Sequence, residues 1–153
     1  MVENIPPRAA WQALQDSPEA RLVDVRTDAE WNFVGIPDLS AMGQEPVLIP
    51  WQVYPTMRVD AGFIEHLRGV GLTPEHHLYF ICRTGGRSLA AAQAAQAAGF
   101  VHAYILTQAY VVGVTRNRYL DGASMILLAG VVVALAGHGL LRTLARRARK
   151  GRK

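Results

Sequence analysis

The chain has 153 residues, which is enough for one domain with a hydrophobic core and hardly enough for two. Its formal net charge is +4, but seven of the 16 basic residues lie in the segment 142–153, so the rest of the chain holds nine basic and twelve acidic residues, a net charge of −3. This distribution argues against a nucleic-acid-binding surface, and the single cysteine excludes both an internal disulfide and a CxxC metal site.

Four short apolar segments predict buried β-strands. They are rich in β-branched or aromatic residues: RLVDV (21–25), PVLIP (46–50), HLYFI (77–81) and VHAYIL (101–106). Helical patterns lie between them, whereas the proline-rich stretch 32–58 is expected to be mostly loop. This alternation predicts an α/β domain with one mostly parallel central sheet flanked by helices.

Two helices are predicted before the third of these strands. Trp11 and Leu14 indicate a first helix after two consecutive prolines. Asp60 is a candidate N-terminal cap for a second helix, whose apolar positions share one face: Phe63, Ile64, Leu67 and Val70.

The clearest helical segment is SLAAAQAAQAAGF (88–100). Alanine has the highest intrinsic helix propensity, so this segment predicts a helix that begins near Ser88. Gly99 followed by Phe100 is typical of a Schellman-type end.

The only cysteine, Cys82, follows the HLYFI strand, and the segment CRTGGR joins that strand to the alanine-rich helix. The turn between a parallel strand and the next helix is where open α/β sheets bind ligands. Backbone N–H groups converge there, the helix dipole adds positive potential, and Gly85 and Gly86 permit unusual dihedral angles. With the charges of Arg83 and Arg87, the segment predicts an anion-binding cradle around a thiol of depressed pKa.

A lone cysteine at the end of an apolar strand is most often a small buried hydrophobic residue. A structural thiol, however, requires neither two glycines nor two arginines directly after it. The surroundings of Cys82 therefore favour a thiolate that attacks an anionic donor.

Three motifs together resemble the rhodanese (sulfurtransferase) superfamily. They are LVDVRTDAEW (22–31), VGIPDLS (34–40) and CRTGGRS (82–88), the last followed by a helix. The resemblance covers about residues 1–106 and implies a small α/β domain with a central parallel sheet. It also implies that Cys82 takes up sulfane sulfur as a persulfide. The residues implied to bind the donor and the persulfide are Arg83, Thr84, Gly85, Gly86, Arg87 and Ser88.

Loop length separates two chemistries known on this fold. Related phosphatases and arsenate reductases have one more residue in the loop, whereas CRTGGR has the six residues typical of sulfurtransferases. The resemblance therefore implies sulfur transfer from thiosulfate or a persulfide donor to cyanide or a thiol acceptor, such as a protein cysteine, without a metal or organic cofactor. The alternatives are a noncatalytic membrane adaptor of the same fold and an oxyanion reductase or phosphatase.

Asp24 and Arg26 follow the RLVDV strand, at the sheet edge that carries Cys82. The resemblance implies that Asp24 helps to hold the loop and that Arg26 pairs with the acidic residue one turn later, Glu30. We expect Asp24 and Arg26 to be supporting residues and the contact between Arg26 and Glu30 to be an ordinary surface ion pair.

The histidines lack metal-ligand spacing, and we predict no metal site. Those weighed as ligands or bases are His66, His76, His77 and His102, which are expected to be structural or solvated.

Two departures from the family pattern stand out. Ile36 occupies a position where many members have histidine. After residue 106 many members continue with a Gly-rich loop and a Trp-containing helix, whereas this chain continues with TQAYVVGVTRNRYLDG (107–122). We expect the closing helix to be missing or replaced.

The segment ASMILLAGVVVALAGHGLL (123–141) has His138 as its only ionisable side chain. As a helix it would span about 28 Å, close to the roughly 30 Å hydrocarbon core of a bilayer. The sequence thus predicts four parts: a rhodanese-like domain at 1–110, a linker at 111–122, a single transmembrane helix at 123–141 and a basic tail at 142–153.

Two signals for membrane orientation disagree. The basic tail favours a cytoplasmic C-terminus, which would place the catalytic domain outside. The N-terminal sequence, however, has neither the basic n-region nor the apolar h-region of a secretory signal. We expect a cytoplasmic catalytic domain. A soluble rhodanese with an abnormal C-terminal join is the alternative.

Overall fold

The computed structural model describes residues 1–106, which form a five-stranded sheet with helices on both faces. The strands of this sheet are β1 (Glu3–Asn4), β2 (Ala20–Asp24), β3 (Val47–Leu48), β6 (His77–Ile81) and β7 (Ala103–Leu106), and a separate antiparallel pair consists of β4 (Gln52–Val53) and β5 (Arg58–Val59). The helices are α1 (Pro7–Asp16), α2 (Asp28–Val34), α3 (Phe63–Gly69) and α4 (Gly86–Ala97), with a 3₁₀ turn at Ser40–Met42.

The sheet is parallel throughout, and its spatial order is β1-β7-β6-β2-β3. Strand β6 is therefore the central strand, hydrogen-bonded to β2 on one side and to β7 on the other. Because the strands are parallel, all their carboxyl ends lie at one edge, which we call the carboxyl edge. The residues that follow β2 and β6 are brought together there.

Alternate side chains of the strands enter two hydrophobic layers, as the period of two in a β-strand requires. On one face, Phe80 and its neighbours pack against α3 and α4, with the Phe63 and Phe80 ring centroids 6.3 Å apart. On the other face, Leu22 and Ile81 pack against α1 through Leu14. Burial on both faces explains why these strands are nearly continuous apolar runs in the sequence.

The four predicted strands and the first and third predicted helices are confirmed, with shifted bounds. Helix α4 begins at Gly86 rather than near Ser88. Its end is the predicted Schellman arrangement, because Gly99 has a φ of +101° and the Phe100 N–H donates to the Ala95 carbonyl at 3.0 Å.

The second predicted helix exists as α3, but two details of the prediction are wrong. Its N-cap is Gly62 rather than Asp60, whose carboxylate accepts a hydrogen bond from the Gly62 N–H at 3.0 Å. Val70 lies past the end of the helix with 57% of its surface exposed, whereas Phe63 and Leu67 are buried. The apolar face is therefore one turn shorter than predicted.

Helix α2 extends into the stretch that the sequence predicts to be mostly loop. It has the capping box T-x-x-E: the Thr27 hydroxyl accepts from the Glu30 N–H at 3.2 Å, and the Glu30 carboxylate accepts from the Thr27 N–H at 3.0 Å. None of its residues is fully buried, so the apolar periodicity that marks the other helices is missing.

Within residues 1–106, no helix combines the length and the apolar character needed to cross a membrane. The predicted linker, transmembrane helix and basic tail (111–153) lie outside the residues that the structure describes.

Candidate active site

Cys82 lies at the carboxyl edge, directly after the central strand β6, and is almost completely buried. The backbone that follows β2 continues to pair with β6, since the Val25 N–H donates to the Ile81 carbonyl at 3.0 Å. The base of the Cys82 loop is thus fixed on this side by the backbone that leads to Arg26.

The loop folds back so that its donors reach the sulfur of Cys82. Gly85 has a φ of +96°, a conformation that L side chains avoid, and this turn starts α4. The N–H groups of Gly85 and Ser88 donate to Sγ at 3.1 and 3.4 Å. The Ser88 hydroxyl lies 3.4 Å from Sγ and donates to the Gly85 carbonyl at 2.9 Å. A negative charge on Sγ would therefore be held by several fixed dipoles.

The surroundings of Cys82 act on its thiol pKa in opposite directions. Burial raises the pKa, whereas the hydrogen bond with the Ser88 hydroxyl and those from the N–H groups of Ser88, Gly85 and Thr84 lower it. The net effect is a pKa below the ordinary value for cysteine. The geometry therefore favours the thiolate, the nucleophilic form of the side chain.

The two arginines of the loop have different environments. The Arg87 guanidinium makes two hydrogen bonds to the Glu30 carboxylate, at 2.6 and 2.8 Å. The positive charge of Arg87 is therefore largely balanced by the negative charge of Glu30. Arg83 is exposed, and no acidic side chain within residues 1–106 pairs with it. Arg83 therefore supplies the uncompensated positive charge of the loop.

Glu30 remains ionised over a wide pH range. The hydrogen bonds from Arg87 lower the pKa of its carboxyl from 4.5 to about 2, against the opposing effect of burial and with help from Thr27. A carboxyl whose pKa is depressed by folding stabilises the fold fully above its unfolded pKa and loses this contribution as the pH falls through the folded pKa. The contribution of this ion pair to stability is therefore constant at neutral pH and decreases only between pH 4.5 and about 2.

Asp24 and Arg26 form a buried ion pair beside the loop. Both side chains have no exposed surface, and the Arg26 Nε lies 2.9 Å from each carboxylate oxygen of Asp24. Arg26 also donates to the Gly35 carbonyl at 2.8 Å, beyond the far end of α2. The pair thus joins the end of β2 to the C-terminal end of α2.

The expected pairing of Arg26 with Glu30 is wrong. Arg26 turns inward to Asp24, whereas the first turn of α2 directs Glu30 to Arg87 in the loop. The side chain of Glu30 is also only about one quarter exposed, whereas an ordinary surface ion pair is largely exposed.

The structure brings most of the predicted site residues to one place, the carboxyl edge. Cys82, Gly85 and Ser88 form the cradle itself, Arg83 and Thr84 are exposed beside it, and Gly86 and Arg87 begin α4. Asp24 is close by, but within residues 1–106 its carboxylate hydrogen-bonds to Arg26 and to no atom of the loop.

Sequence reasoning missed Glu30 as a residue of this site. The available signal was the capping box with Thr27, which fixes the start of α2 next to the loop. In the part of the chain that the structure describes, no group of three or more His, Cys, Asp or Glu side chains could hold a metal ion.

The sequence of the chain is similar to one family of domains and to several individual proteins. The model of the rhodanese-like domain family matches residues 7–113. An uncharacterised protein of Rickettsia conorii is 30% identical over 110 residues, which cover 71% of this chain and 84% of that protein. A second uncharacterised protein, from Rickettsia prowazekii, is 28% identical over 111 residues, covering 72% and 85%.

Two solved structures are similar to the chain. The crystal structure of Rv0390 from M. tuberculosis is 41% identical, with a TM-score of 0.61 over 69% of this chain and 78% of that one. A variant of EanB, in complex with ergothioneine linked covalently to a persulfide cysteine, is 13% identical, with a TM-score of 0.54 over 71% of this chain and 25% of that one. The likeness to EanB shows the fold alone. By the match to this family model, the chain belongs to the rhodanese-like domain family.

Proposed function

We propose that the protein is a sulfurtransferase that carries sulfane sulfur on Cys82. The observation that supports this function best is the convergence of the Gly85 and Ser88 N–H groups on Sγ at the end of the central strand. These donors stabilise a thiolate, and they can equally stabilise the negative charge of a persulfide.

The first step is attack of the Cys82 thiolate on the outer sulfur of thiosulfate or of a persulfide donor. A sulfur–sulfur bond forms at Cys82 as the donor's own bond to that sulfur breaks, and sulfite or a thiolate leaves with the electron pair. The cradle favours this step because its hydrogen bonds lower the pKa of Cys82 and so increase the fraction of thiolate. Neither an oxidant nor a general base is required.

The second step returns the enzyme to its starting state. A thiophile, either cyanide or the thiolate of an acceptor such as a protein cysteine, attacks the outer sulfur of the Cys82 persulfide. The persulfide bond breaks and its electrons return to Sγ, which the Gly85 and Ser88 N–H groups stabilise again. Since the leaving group is this stabilised thiolate, the same cradle assists both half-reactions.

The function is tested by supplying thiosulfate and cyanide to the purified full-length protein and measuring thiocyanate. Turnover that depends on the protein supports the proposal. A folded protein that forms no thiocyanate and accepts no sulfur from thiosulfate contradicts it, and favours a noncatalytic adaptor. Release of phosphate from a phosphate ester would instead favour the phosphatase alternative.

Arg83 is proposed to attract the anionic donor. Replacing it with alanine removes the uncompensated charge of the loop, so we expect the KM for thiosulfate to rise about tenfold while kcat changes little. The effect should shrink at high ionic strength, because salt screens an exposed charge. Steady-state kinetics at two salt concentrations check this prediction.

Arg68 provides the matched control for that experiment. It is an exposed arginine in the last turn of α3, which leads to the start of β6 and thus to the edge opposite Cys82. Arg68→Ala should leave the KM unchanged. An equal rise in both variants would mean that general surface charge, rather than Arg83, attracts the donor.

We further propose that residues 123–141 cross a membrane once and that the catalytic domain is cytoplasmic. The apolar length of this segment and the basic tail support anchoring. A reactive thiol with no second cysteine suits a reducing compartment, which supports the orientation. The full-length protein should stay in the membrane pellet after alkaline carbonate extraction, and its domain should resist protease added from outside. Release by carbonate contradicts anchoring, and cleavage contradicts the orientation.

A further inference from the structure

We propose that Glu30 is a positioning residue for Cys82. Through Arg87 it holds the first turn of α4 in the place from which the Gly85 and Ser88 N–H groups reach Sγ. The proposal rests on Cys82 being the reactive thiol, as the proposed sulfur transfer also does.

The contact between Glu30 and Arg87 joins two separate elements. The residues are 57 positions apart, yet Nη1 of Arg87 donates to Oε2 of Glu30 at 2.6 Å and Nη2 donates to Oε1 at 2.8 Å. A two-point contact of this kind fixes orientation as well as distance. Arg87 directly precedes Ser88, so its position determines where the Ser88 N–H and hydroxyl lie relative to Sγ.

Glu30 is itself held firmly enough to act as an anchor. Its Oε2 accepts hydrogen bonds from the N–H and the hydroxyl of Thr27, each at 3.0 Å. Arg26, which is fully buried, spans α2 by donating to the Gly35 carbonyl beyond its end. No side chain of α2 is fully buried, and these polar contacts hold the helix at the carboxyl edge. Helix α2 thus places Glu30 where it contacts Arg87 of the loop.

Charge and position make opposite predictions for the loss of this carboxylate. If Glu30 acted only by its charge, its removal would leave Arg87 uncompensated near Sγ, and the thiolate of Cys82 would become more favourable. If Glu30 positions the loop, its removal loosens the hydrogen bonds to Sγ, and the thiolate becomes less favourable. The proposal requires the second result.

The experiment is the pH profile of Cys82 alkylation by iodoacetamide, measured on the full-length protein. Only the thiolate reacts, so the rate at low pH reports how much of it is present. For Glu30→Gln we expect the profile to move to higher pH and the rate at pH 6 to fall about tenfold. A profile that is unchanged, or that moves to lower pH, overturns the proposal.

Two further variants serve as a control for the chemical change and as a second test of positioning. Glu65→Gln makes the same chemical change in an exposed ion pair with Arg68, and it should leave the profile unchanged. Glu30→Asp keeps the charge and the fold but is one methylene too short for both contacts to Arg87. Positioning predicts that Glu30→Asp also slows alkylation, by several-fold, whereas a wild-type rate in this variant would overturn the proposal even if Glu30→Gln failed to fold.

The inference and the proposed function can fail separately. Alkylation measures the thiolate without any sulfur donor, whereas uptake of sulfur from thiosulfate by the wild-type protein tests the function. Slow alkylation in the Glu30 variants with no sulfur uptake in the wild type would support the positioning role and contradict the sulfurtransferase. Normal alkylation in these variants with uptake in the wild type would do the reverse.

Discussion

Replacing Cys82 with serine is expected to reduce sulfur transfer from thiosulfate to cyanide by about three orders of magnitude or more. The hydroxyl is not ionised at neutral pH and cannot carry sulfane sulfur as a persulfide. Serine is also slightly smaller than cysteine and finds the same donors, the Gly85 and Ser88 N–H groups, so the fold should survive. Thiocyanate formation by the purified variant measures the effect.

A folded Cys82→Ser protein also separates the enzyme from the noncatalytic adaptor. Binding of a partner should survive the substitution, because it does not depend on the buried sulfur. Transfer within about tenfold of the wild type would contradict the role of Cys82, since a general electrostatic effect of the cradle would then be responsible.

Asp24→Asn should lower the free energy of unfolding by about 3–5 kcal/mol, the cost of removing one partner from a buried ion pair. Arg26 has no exposed surface, and the substitution removes the buried carboxylate that binds its guanidinium. Since small domains are stable by only about 5–15 kcal/mol, this loss is a large fraction of the total. Urea unfolding, followed by tryptophan fluorescence, gives the free energy.

The exposed pair of Glu65 and Arg68 is the reference for that measurement. Its shortest contact is 3.8 Å and both side chains are largely exposed, so Glu65→Gln should cost less than about 1 kcal/mol. If Asp24→Asn also cost less than about 1 kcal/mol, the charged pair of Asp24 and Arg26 would not be what stabilises the carboxyl edge.

The parts of the fold that could be predicted are those in which local signals and tertiary structure agree. Strand β6 is a continuous apolar run because it is the central strand and is covered on both faces. Helix α4 was evident from its alanines, which also let it pack closely on the sheet. Helix α2 gave no such pattern, because polar contacts of Thr27 and Arg26 rather than an apolar face hold it in place.

The candidate site was predictable where its residues are neighbours in sequence. CRTGGR is one continuous segment, so the cradle around Cys82 could be inferred from the order of strand, turn and helix. The ion pair of Glu30 and Arg87 joins positions 57 apart and depends on how α2 and α4 pack at the carboxyl edge. The family resemblance instead implies Arg26 as the partner of Glu30, and no local pattern in the sequence indicates the distant partner Arg87.

The most direct test of the proposed sulfur transfer is the intact mass of the full-length protein in detergent, before and after incubation with thiosulfate. The wild type should gain about 32 Da, the mass of one sulfur atom, and cyanide should remove it, whereas Cys82→Ser should gain nothing. A folded wild-type protein whose mass does not change would contradict sulfur uptake from thiosulfate. An equal gain in Cys82→Ser would contradict the role of Cys82 itself.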